Sequence, residues 1–358
     1  GWTEHDVIIM SDMRHATILW IMILLTACTM TSTPTPSSPS SPVPVLTVGP
    51  TSTPNPVTAM PEGPCEGTLP KGFIILGYLP EYRALNLEWG KCLTDLVYFS
   101  ADPRPDGTLD ASRLSEDTWR ALRAMKAEYG TRLHLTVGGW DRSAGFASMT
   151  ASPQVRAHFV ENLLAFAQDH QLNGVDFDWE FPQNDDEFEN YIALLTEVKE
   201  AFTEHGLTVS VALSADNAST MDLSRFAVVD RIHVMSYDHG NYHSTYNTAV
   251  EDLNTFTIND LPKKQLLLGV PFYGRTIAEP HTAYSYQEIL SQHTLPISAD
   301  EVDGIYFNNV GTIGLKTCLV REEGYGGIMI WELGQDTWDE ASLLRTIYKT
   351  AIQGCNVE

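Results

Sequence analysis

The stretch NGVDFDWE at residues 173–180 places three acids, Asp176, Asp178 and Glu180, at every second position. Valine, phenylalanine and tryptophan fill the positions between them. A period of two is typical of a β-strand, so the acids share one face and the apolar side chains share the other. Closely spaced acids repel each other and resist burial, so selection for stability alone would remove them. The stretch therefore predicts a strand with a functional face. An edge strand or a calcium loop is the alternative, although calcium loops do not interleave their ligands with bulky apolar residues.

Short apolar runs alternate with amphipathic stretches from residue 73 onward. Eight of these runs have the length and composition of strands, and helical patterns lie between most of them. The strands are predicted at 73–79, 93–100, 132–138, 174–179, 207–213, 229–236, 265–272 and 327–331.

Three helices have clear sequence signals. Ser152 followed by Pro153 is typical of a helix start and opens a periodic run to residue 170. The longest helix is predicted at 184–205 with Gly206 as its C-cap, and the last at 339–353. Eight strands alternating with helices predict an α/β protein with a (β/α)8 TIM barrel. A doubly wound sheet is the alternative, but no glycine-rich phosphate loop supports it.

The connection after the seventh strand is longer than the others. It runs from about residue 275 to 311 and contains a short helical pattern at 285–292 and a strand pattern at 304–307. This length predicts a small insertion on the barrel rim.

The chain of 358 residues is strongly acidic. Acids outnumber Lys and Arg by 46 to 22, which gives a formal net charge of −24. This charge argues against nucleic acid or an anionic membrane surface as a partner and favours an uncharged ligand such as a neutral polysaccharide.

The N-terminal region, 1–28, has the features of an export signal. Met13 is expected to be the true start, followed by a short basic segment and an apolar run at 16–25 that is too short to span a bilayer. The run ends in Leu-Thr-Ala-Cys, which resembles the lipobox of bacterial lipoproteins and implies lipidation of Cys28. An ordinary signal peptide is the alternative. The signal predicts an extracellular or cell-surface protein whose only membrane contact is a lipid anchor.

Residues 29–64 are dominated by Thr, Ser and Pro and carry no charge before Glu62. Such a segment cannot bury a core, so it is predicted to be a disordered linker. The remaining residues, 65–358, are predicted to form the catalytic barrel domain.

Four further cysteines, Cys65, Cys92, Cys318 and Cys355, lie in this domain. Disulfides are expected in an exported domain. Pairing Cys65 with Cys92 and Cys318 with Cys355 would tie each terminus to a neighbouring element, but the sequence leaves the pairing open. No spacing matches a metal site, so neither a metal nor another cofactor is expected.

Unusual polar and aromatic residues follow several predicted strands. Because active sites of TIM barrels form at the carboxyl ends of the strands, these side chains are expected to converge on one rim. Each one alone has an ordinary explanation as a turn or a core residue, and the convergence is what indicates function. The candidates are Tyr78, Gly139, Trp140, Glu180, Met235, Tyr237, Asp238 and Trp331.

Four elements of this pattern resemble the glycoside hydrolase family 18, the chitinase family. The signature DGxDxDxE of that family is similar to residues 173–180, its SxGG element to 136–139, and its MxYD element to 235–238, and its late tryptophan matches Trp331. The chain departs from the family in having Asn173 for Asp and Thr136 for Ser, and we expect both changes to have modest effects. The resemblance spans roughly residues 71–353.

The resemblance implies a retaining mechanism in which the substrate's own 2-acetamido group attacks the anomeric carbon. Glu180 would be the acid/base, and repulsion within the acidic face favours its protonated form at neutral pH. Asp178 would stabilise the oxazolinium intermediate while sharing a proton with Asp176, and Tyr237 would orient the acetamido oxygen.

The remaining candidates are expected to bind the sugar. Asp238 would support it, and Trp331 would form the floor of the pocket, because pyranose faces stack on aromatic rings. Trp140 would be a platform on the leaving-group side, and Tyr78 would line the pocket. Gly139 and Met235 belong to the same elements.

The expected function is hydrolysis of chitin or chitooligosaccharides by a monomer. An endo-β-N-acetylglucosaminidase or a peptidoglycan hydrolase of the same family is an alternative. A non-catalytic chitin-binding lectin is a further one, although such relatives typically lose the acid that Glu180 supplies here.

Overall fold

A computed structural model of the chain describes residues 65–296 and 298–355. The predicted export signal, Cys28 and the linker at 29–64 lie outside the described residues. Among the residues described, no helix is both long and apolar enough to cross a membrane.

Eight parallel strands form a closed barrel. Each strand pairs with its neighbours in chain order, and the first pairs with both the second and the eighth, which closes the ring. All eight contain fully buried apolar side chains, as expected for parallel strands covered by helices. The strands are β1 Ile74–Pro80, β2 Asp95–Pro103, β3 Arg132–Gly138, β4 Gly174–Asp178, β5 Thr208–Leu213, β6 Arg231–Val234, β7 Leu266–Pro271 and β8 Gly327–Trp331. The predicted TIM barrel is confirmed.

Eight α-helices accompany the strands within the described residues. They are α1 Glu116–Tyr129, α2 Phe146–Thr150, α3 Pro153–Asp169, α4 Asp185–Thr203, α5 Tyr246–Ile258, α6 Tyr286–Gln292, α7 Val310–Glu322 and α8 Leu343–Gln353. Short 3-10 helices occupy 87–91, 215–219, 223–228, 263–265 and 333–335. Two of these turns, and no α-helix, connect β5 to β6.

The predicted starts of the two longest helices are confirmed by their caps. The side chain of Ser152 accepts the Val155 N–H at the start of α3, and that of Asn184 accepts the Glu187 N–H at the start of α4. The predicted start of the last helix at 339 is wrong.

The last helix, α8, begins four residues later, at Leu343. Ser342 is its N-cap, and the half-buried Asp336 accepts hydrogen bonds from the first two backbone N–H groups of the helix. A carboxylate that arrives from the preceding loop therefore sets this helix start, and the helical period alone does not reveal it.

The predicted insertion is present between β7 and α7. It consists of α6 and a small antiparallel sheet built from the strands Tyr273–Thr276, Ala283–Ser285, Glu301–Val302 and Ile305–Tyr306. A further two-residue strand, Leu109–Asp110, pairs with the end of β2.

Two disulfides brace the domain. Cys65 pairs with Cys92 and Cys318 with Cys355, with Cα–Cα distances of 5.1 and 5.4 Å. The first ties the start of the described chain to the segment before β2, and the second ties α7 to the end of α8. Both restrict the unfolded chain and so stabilise the fold.

Candidate active site

Strand β4 separates its acids from its apolar residues, as the alternating pattern predicts. Phe177 points outward and packs between Phe146 of α2 and Phe159 of α3. Trp179 stacks on Phe146 with a centroid distance of 5.0 Å. The carboxylates of the strand therefore face the barrel interior, where Asp176 is fully buried and Asp178 is 5% exposed.

Asp176 is an ionised carboxylate held by several strands. Burial would raise its pKa, but His233 and hydrogen bonds outweigh burial and lower the pKa below its usual value. The partners are Tyr78 Oη at 2.7 Å, Ser210 Oγ at 2.7 Å, Thr136 Oγ1 at 3.2 Å and His233 Nδ1 at 3.1 Å. Asp176 is thereby fixed in one position at the base of the site.

Tyr78 lies deeper than the expected pocket-lining position. It is 2% exposed, and its hydroxyl lies 2.7 Å from both Asp176 and His233 Nδ1. Its ring contacts Trp331 edge-on at 5.6 Å. Tyr78 thus packs against Trp331 and holds Asp176.

Asp178 has the opposite electrostatic environment. Its pKa is raised well above its usual range, first by burial and then by repulsion from Glu180 and Asp176. Its Oδ1 atom is buried and has no hydrogen-bond partner within the described part of the chain. Burial and repulsion therefore favour protonation of Asp178 rather than of Asp176, and the Oδ1 atom of Asp178 is available to a ligand.

Glu180 lies just beyond the end of β4 and is partly exposed. Burial raises its pKa to about 7, and repulsion from Asp238 acts in the same direction, opposed by a hydrogen bond from the Trp140 backbone. The acidic face of β4 contributes less to this shift than the sequence suggests. A carboxyl group with this pKa can donate a proton near neutral pH.

Ser143 joins the backbone around the two acids and was not anticipated from the sequence. Its hydroxyl accepts the N–H of Glu180 at 3.1 Å. The same oxygen lies 3.1 Å from the carbonyl oxygen of Asp178 and 3.0 Å from that of Gly139, both within donating distance. Ser143 lies in none of the family motifs and in no periodic pattern of the sequence.

Gly138 and Gly139 allow β3 to approach β4 closely. Both have positive φ angles, +96° and +109°. The N–H of Gly139 donates to the Asp178 carbonyl at 2.7 Å, and a Cβ on Gly138 would lie 2.4 Å from that carbonyl oxygen. A Cβ on Gly139 would lie 2.3 Å from the ring of Phe99. The two glycines therefore do more than form a turn, because they leave room for the Asp178 carbonyl and the Phe99 ring.

Tyr237 and Asp238 follow β6, as predicted. Tyr237 makes an edge-on contact with Tyr273 at 6.3 Å. Asp238 accepts the Tyr273 hydroxyl at 2.6 Å and lies 2.8 Å from Nε of Arg275. Burial would raise the pKa of Asp238, but His243, Arg275 and Tyr273 lower it, so Asp238 is ionised.

Aromatic residues complete the site. Trp331, at the end of β8, is partly buried and lies edge-on to Phe99 at 4.9 Å. Met235 and Tyr237 pack against the same cluster. Trp140, in contrast, stands on the rim with 60% of its surface exposed. All predicted site residues thus lie at the carboxyl ends of the strands or directly beneath them.

The sequence matches the model of glycosyl hydrolases family 18 over residues 74–336. The chain belongs to this family. The match covers the whole barrel from β1 to the end of β8 and includes all of the site residues described above.

Known relatives are named as chitinases. The chain is 32% identical over 243 residues to probable chitinase 2 from Drosophila melanogaster, covering 56% of this chain and 48% of that protein. It is 25% identical over 280 residues to chitinase A1 from Niallia circulans, covering 56% of this chain and 40% of that protein. The chain thus spans about half the length of these two relatives or less.

Solved structures have the same fold. The family 18 chitinase ChiB from Flavobacterium johnsoniae superposes with a TM-score of 0.68 at 27% identity, covering 78% of this chain and 94% of that chain. A second catalytic domain of the group II chitinase from Ostrinia furnacalis was solved with penta-N-acetylchitooctaose. It superposes with a TM-score of 0.69 at 21% identity, covering 79% of this chain and 97% of that chain, and shows similarity of fold alone.

The two departures from the family signature are accommodated locally. Thr136 places its hydroxyl 3.2 Å from Asp176, where it donates a hydrogen bond. Asn173 accepts the N–H of Leu133 at 3.0 Å through its side-chain oxygen. Thr136 therefore braces the middle of β4, and Asn173 ties the residue before β4 to β3.

Proposed function

We propose that this family 18 protein is a chitinase that hydrolyses β-1,4 linkages between N-acetylglucosamine units with retention of configuration. The observation that carries the proposal is the pairing of Glu180, whose pKa is raised to about 7, with the buried Asp178, whose pKa is also raised and whose Oδ1 atom has no hydrogen-bond partner in the described part of the chain. A proton donor next to a group that can bind an acetamido N–H suits substrate-assisted cleavage.

In the first step, Glu180 donates its proton to the glycosidic oxygen while the acetamido carbonyl oxygen attacks the anomeric carbon. The glycosidic bond breaks and an oxazolinium ion forms. Asp178 accepts a hydrogen bond from the acetamido N–H as its own proton moves toward Asp176. The fixed partners of Asp176 support this role, because they hold its carboxylate in place throughout the reaction.

In the second step, the Glu180 carboxylate takes a proton from water as that water attacks the anomeric carbon and opens the oxazolinium ring. The sugar is released with the β configuration. Tyr237 orients the acetamido oxygen, Trp331 forms the floor under the reacting sugar, and Asp238 holds the sugar with the support of Arg275. The exposed Trp140 stacks on the leaving-group side.

The proposal also covers the cellular location and the oligomeric state of the protein. We infer that the protein is exported by the signal at 13–28, carries a lipid at Cys28, and presents residues 65–358 beyond the linker at the cell surface. The active unit is a monomer that binds chitin or chitooligosaccharides, and the acidic charge of the chain does not hinder binding of a neutral polymer.

A comparison of two hexasaccharides tests the proposed substrate. We expect N-acetylchitohexaose to be cleaved to shorter oligomers and cellohexaose, which lacks the acetamido group, to remain intact. Cleavage of both would contradict participation of the acetamido group. Binding of N-acetylchitohexaose without any product would instead indicate a lectin.

A further inference from the structure

Lys316, on α7, is a fully buried lysine outside the catalytic cluster. Its ammonium group donates to the Ser244 carbonyl at 2.9 Å, the Ser244 hydroxyl at 2.8 Å and the Asn308 side-chain oxygen at 2.7 Å. All three partners are neutral, and no ion pair links Lys316 to a carboxylate in the described ranges. All three of its donors are therefore used, two of them on Ser244 and one on Asn308.

If Lys316 served only to stabilise the fold, burying its ammonium group would cost more free energy than burying an apolar side chain. Burial lowers the pKa of Lys316 to about 7, and the more distant Asp300 and Asp252 only partly oppose that effect. A buried ammonium that lacks a carboxylate partner is rare, and an apolar side chain of the same length would avoid the desolvation penalty. The position therefore calls for a reason other than packing.

Lys316 binds Ser244, and Ser244 closes a loop by a hydrogen bond to Ser236. The Ser244 hydroxyl donates to the Ser236 carbonyl at 2.7 Å, and Asn308 Nδ2 donates to the Ser244 carbonyl at 2.7 Å. Ser236 and Ser244 are both fully buried. They form the neck of the loop 236–244, and Tyr237 and Asp238 are the first two residues beyond that neck.

The tip of the loop, residues 237–243 between the two neck serines, is held by other groups. Asp238 binds Tyr273 and Arg275, and His239 lies 3.0 Å from Asp252. His243 packs against Tyr273 inside the loop. None of these contacts replaces the bonds at the neck, so the neck and the tip are separate anchors.

We propose that Lys316 is a positioning residue that clamps the neck of the 236–244 loop and thereby places Tyr237 and Asp238 against the substrate. It acts through Ser244 and Ser236 and does not touch the sugar. The placement of Tyr237 and Asp238 toward a sugar rests on the proposed function, whereas the clamp itself rests on the contacts alone.

Three single variants test the clamp. Lys316→Met keeps the length and removes the charge, and Ser244→Ala removes the hydroxyl bond to Ser236 and is mild enough to be informative if Lys316→Met does not fold. Gln265→Met is the matched control, because Gln265 is also buried and donates two hydrogen bonds to backbone carbonyls, but at the opposite end of the barrel.

Hydrogen exchange is the readout that does not require catalysis. Under conditions in which all variants are folded, we expect faster amide exchange in peptides covering 237–244 for Lys316→Met and Ser244→Ala, and unchanged exchange there for Gln265→Met. Unchanged exchange in both neck variants would overturn the clamp. If the wild type cleaved no chitooligosaccharide, the proposed function would fail while this readout would still decide the clamp.

Turnover provides the second readout. A displacement of about 1 Å at a positioning group can cost about 100-fold in rate, so Lys316→Met should lower kcat by about 10- to 100-fold with a smaller change in KM. The Lys316→Met/Ser244→Ala double variant should lose little more than Lys316→Met alone, because both act through one neck. Additive losses, or a kcat equal to that of Gln265→Met, would overturn the positioning role.

Discussion

The hydroxyl of Ser143 accepts the backbone N–H of Glu180 at 3.1 Å. The same oxygen lies within hydrogen-bond distance of the Asp178 carbonyl. One serine from the loop after β3 therefore sets the path of the chain where β4 ends and the candidate acid begins.

Replacing this serine should affect both catalysis and stability. Ser143→Ala leaves the Glu180 N–H without its partner, at a cost of about 1–3 kcal/mol, and lets the carboxyl group shift. We expect kcat to fall by about 10-fold or more, since small displacements of a catalytic group are costly. Steady-state kinetics and thermal unfolding measure the two effects. Ser115→Ala, which removes the N-cap of α1, is the control and should lower stability by about 1 kcal/mol without changing kcat.

Removing the acid itself should separate binding from chemistry. Glu180→Gln keeps the shape of the side chain but cannot donate a proton, so kcat should fall by about 100- to 10,000-fold while N-acetylchitohexaose still binds. Calorimetric titration and product analysis measure the two properties. Glu189→Gln, which alters an exposed acid on α4, should leave turnover intact. Turnover near the wild-type rate in Glu180→Gln would rule out the assigned role.

The activity should depend on the protonation of Glu180. A general acid works only when protonated, so kcat/KM should decrease as the pH rises through about 7, the pKa to which burial and Asp238 raise this group. Asp238→Asn removes a carboxylate that repels a negative charge on Glu180. The alkaline limb of the pH profile should therefore move to lower pH in this variant, whatever the loss in absolute rate. A limb that stayed in place or moved to higher pH would show that another group controls it.

A buried ion network at the amino ends of the strands should control acid stability. Asp95 is fully buried and accepts from His134 Nε2 at 2.7 Å, Arg231 at 2.7 Å and Arg132 at 2.9 Å. Burial would raise its pKa, but these partners lower it well below its usual value. A group with a lowered folded-state pKa adds stability above its unfolded pKa of about 4, and that stability is lost as the pH falls below this value.

Asp95→Asn should therefore lower the free energy of unfolding at pH 7 by about 3–5 kcal/mol, because it leaves the buried guanidinium group of Arg231 without its counter-ion. The variant should also show a smaller decrease in stability below about pH 4 than the wild type. Urea unfolding at several pH values measures both effects. Asp117→Asn, which alters an exposed acid of α1, should change neither. An unaltered acid limb in Asp95→Asn would assign the acid sensitivity to other carboxylates.

The strands and the site motifs could be predicted from the sequence because they depend on local patterns. Period-two alternation and short buried runs mark all eight strands, and the boundaries of β3 and β8 agree at both ends. Residues at the carboxyl ends of such strands meet on one rim in any barrel of this type. Asp178 and Glu180 could thus be assigned to one site from the sequence alone.

Partners contributed by distant segments could not be predicted. Ser210 and His233 reach Asp176 across 34 and 57 residues of sequence, and Arg275 reaches Asp238 across 37. Nothing in their own surroundings shows which way these side chains point. The sequence also could not predict that the pKa of Asp176 is lowered and that of Asp178 raised, because these shifts depend on burial and on those same partners.

The anomeric form of the first product tests the central claim most directly. The protein would be mixed with N-acetylchitohexaose and followed by proton NMR before mutarotation equilibrates the new reducing ends. The account predicts an initial excess of the β-anomer, as attack by the acetamido group followed by water requires. An initial excess of the α-anomer would mean direct displacement by water and would contradict the roles assigned to Asp178 and Tyr237.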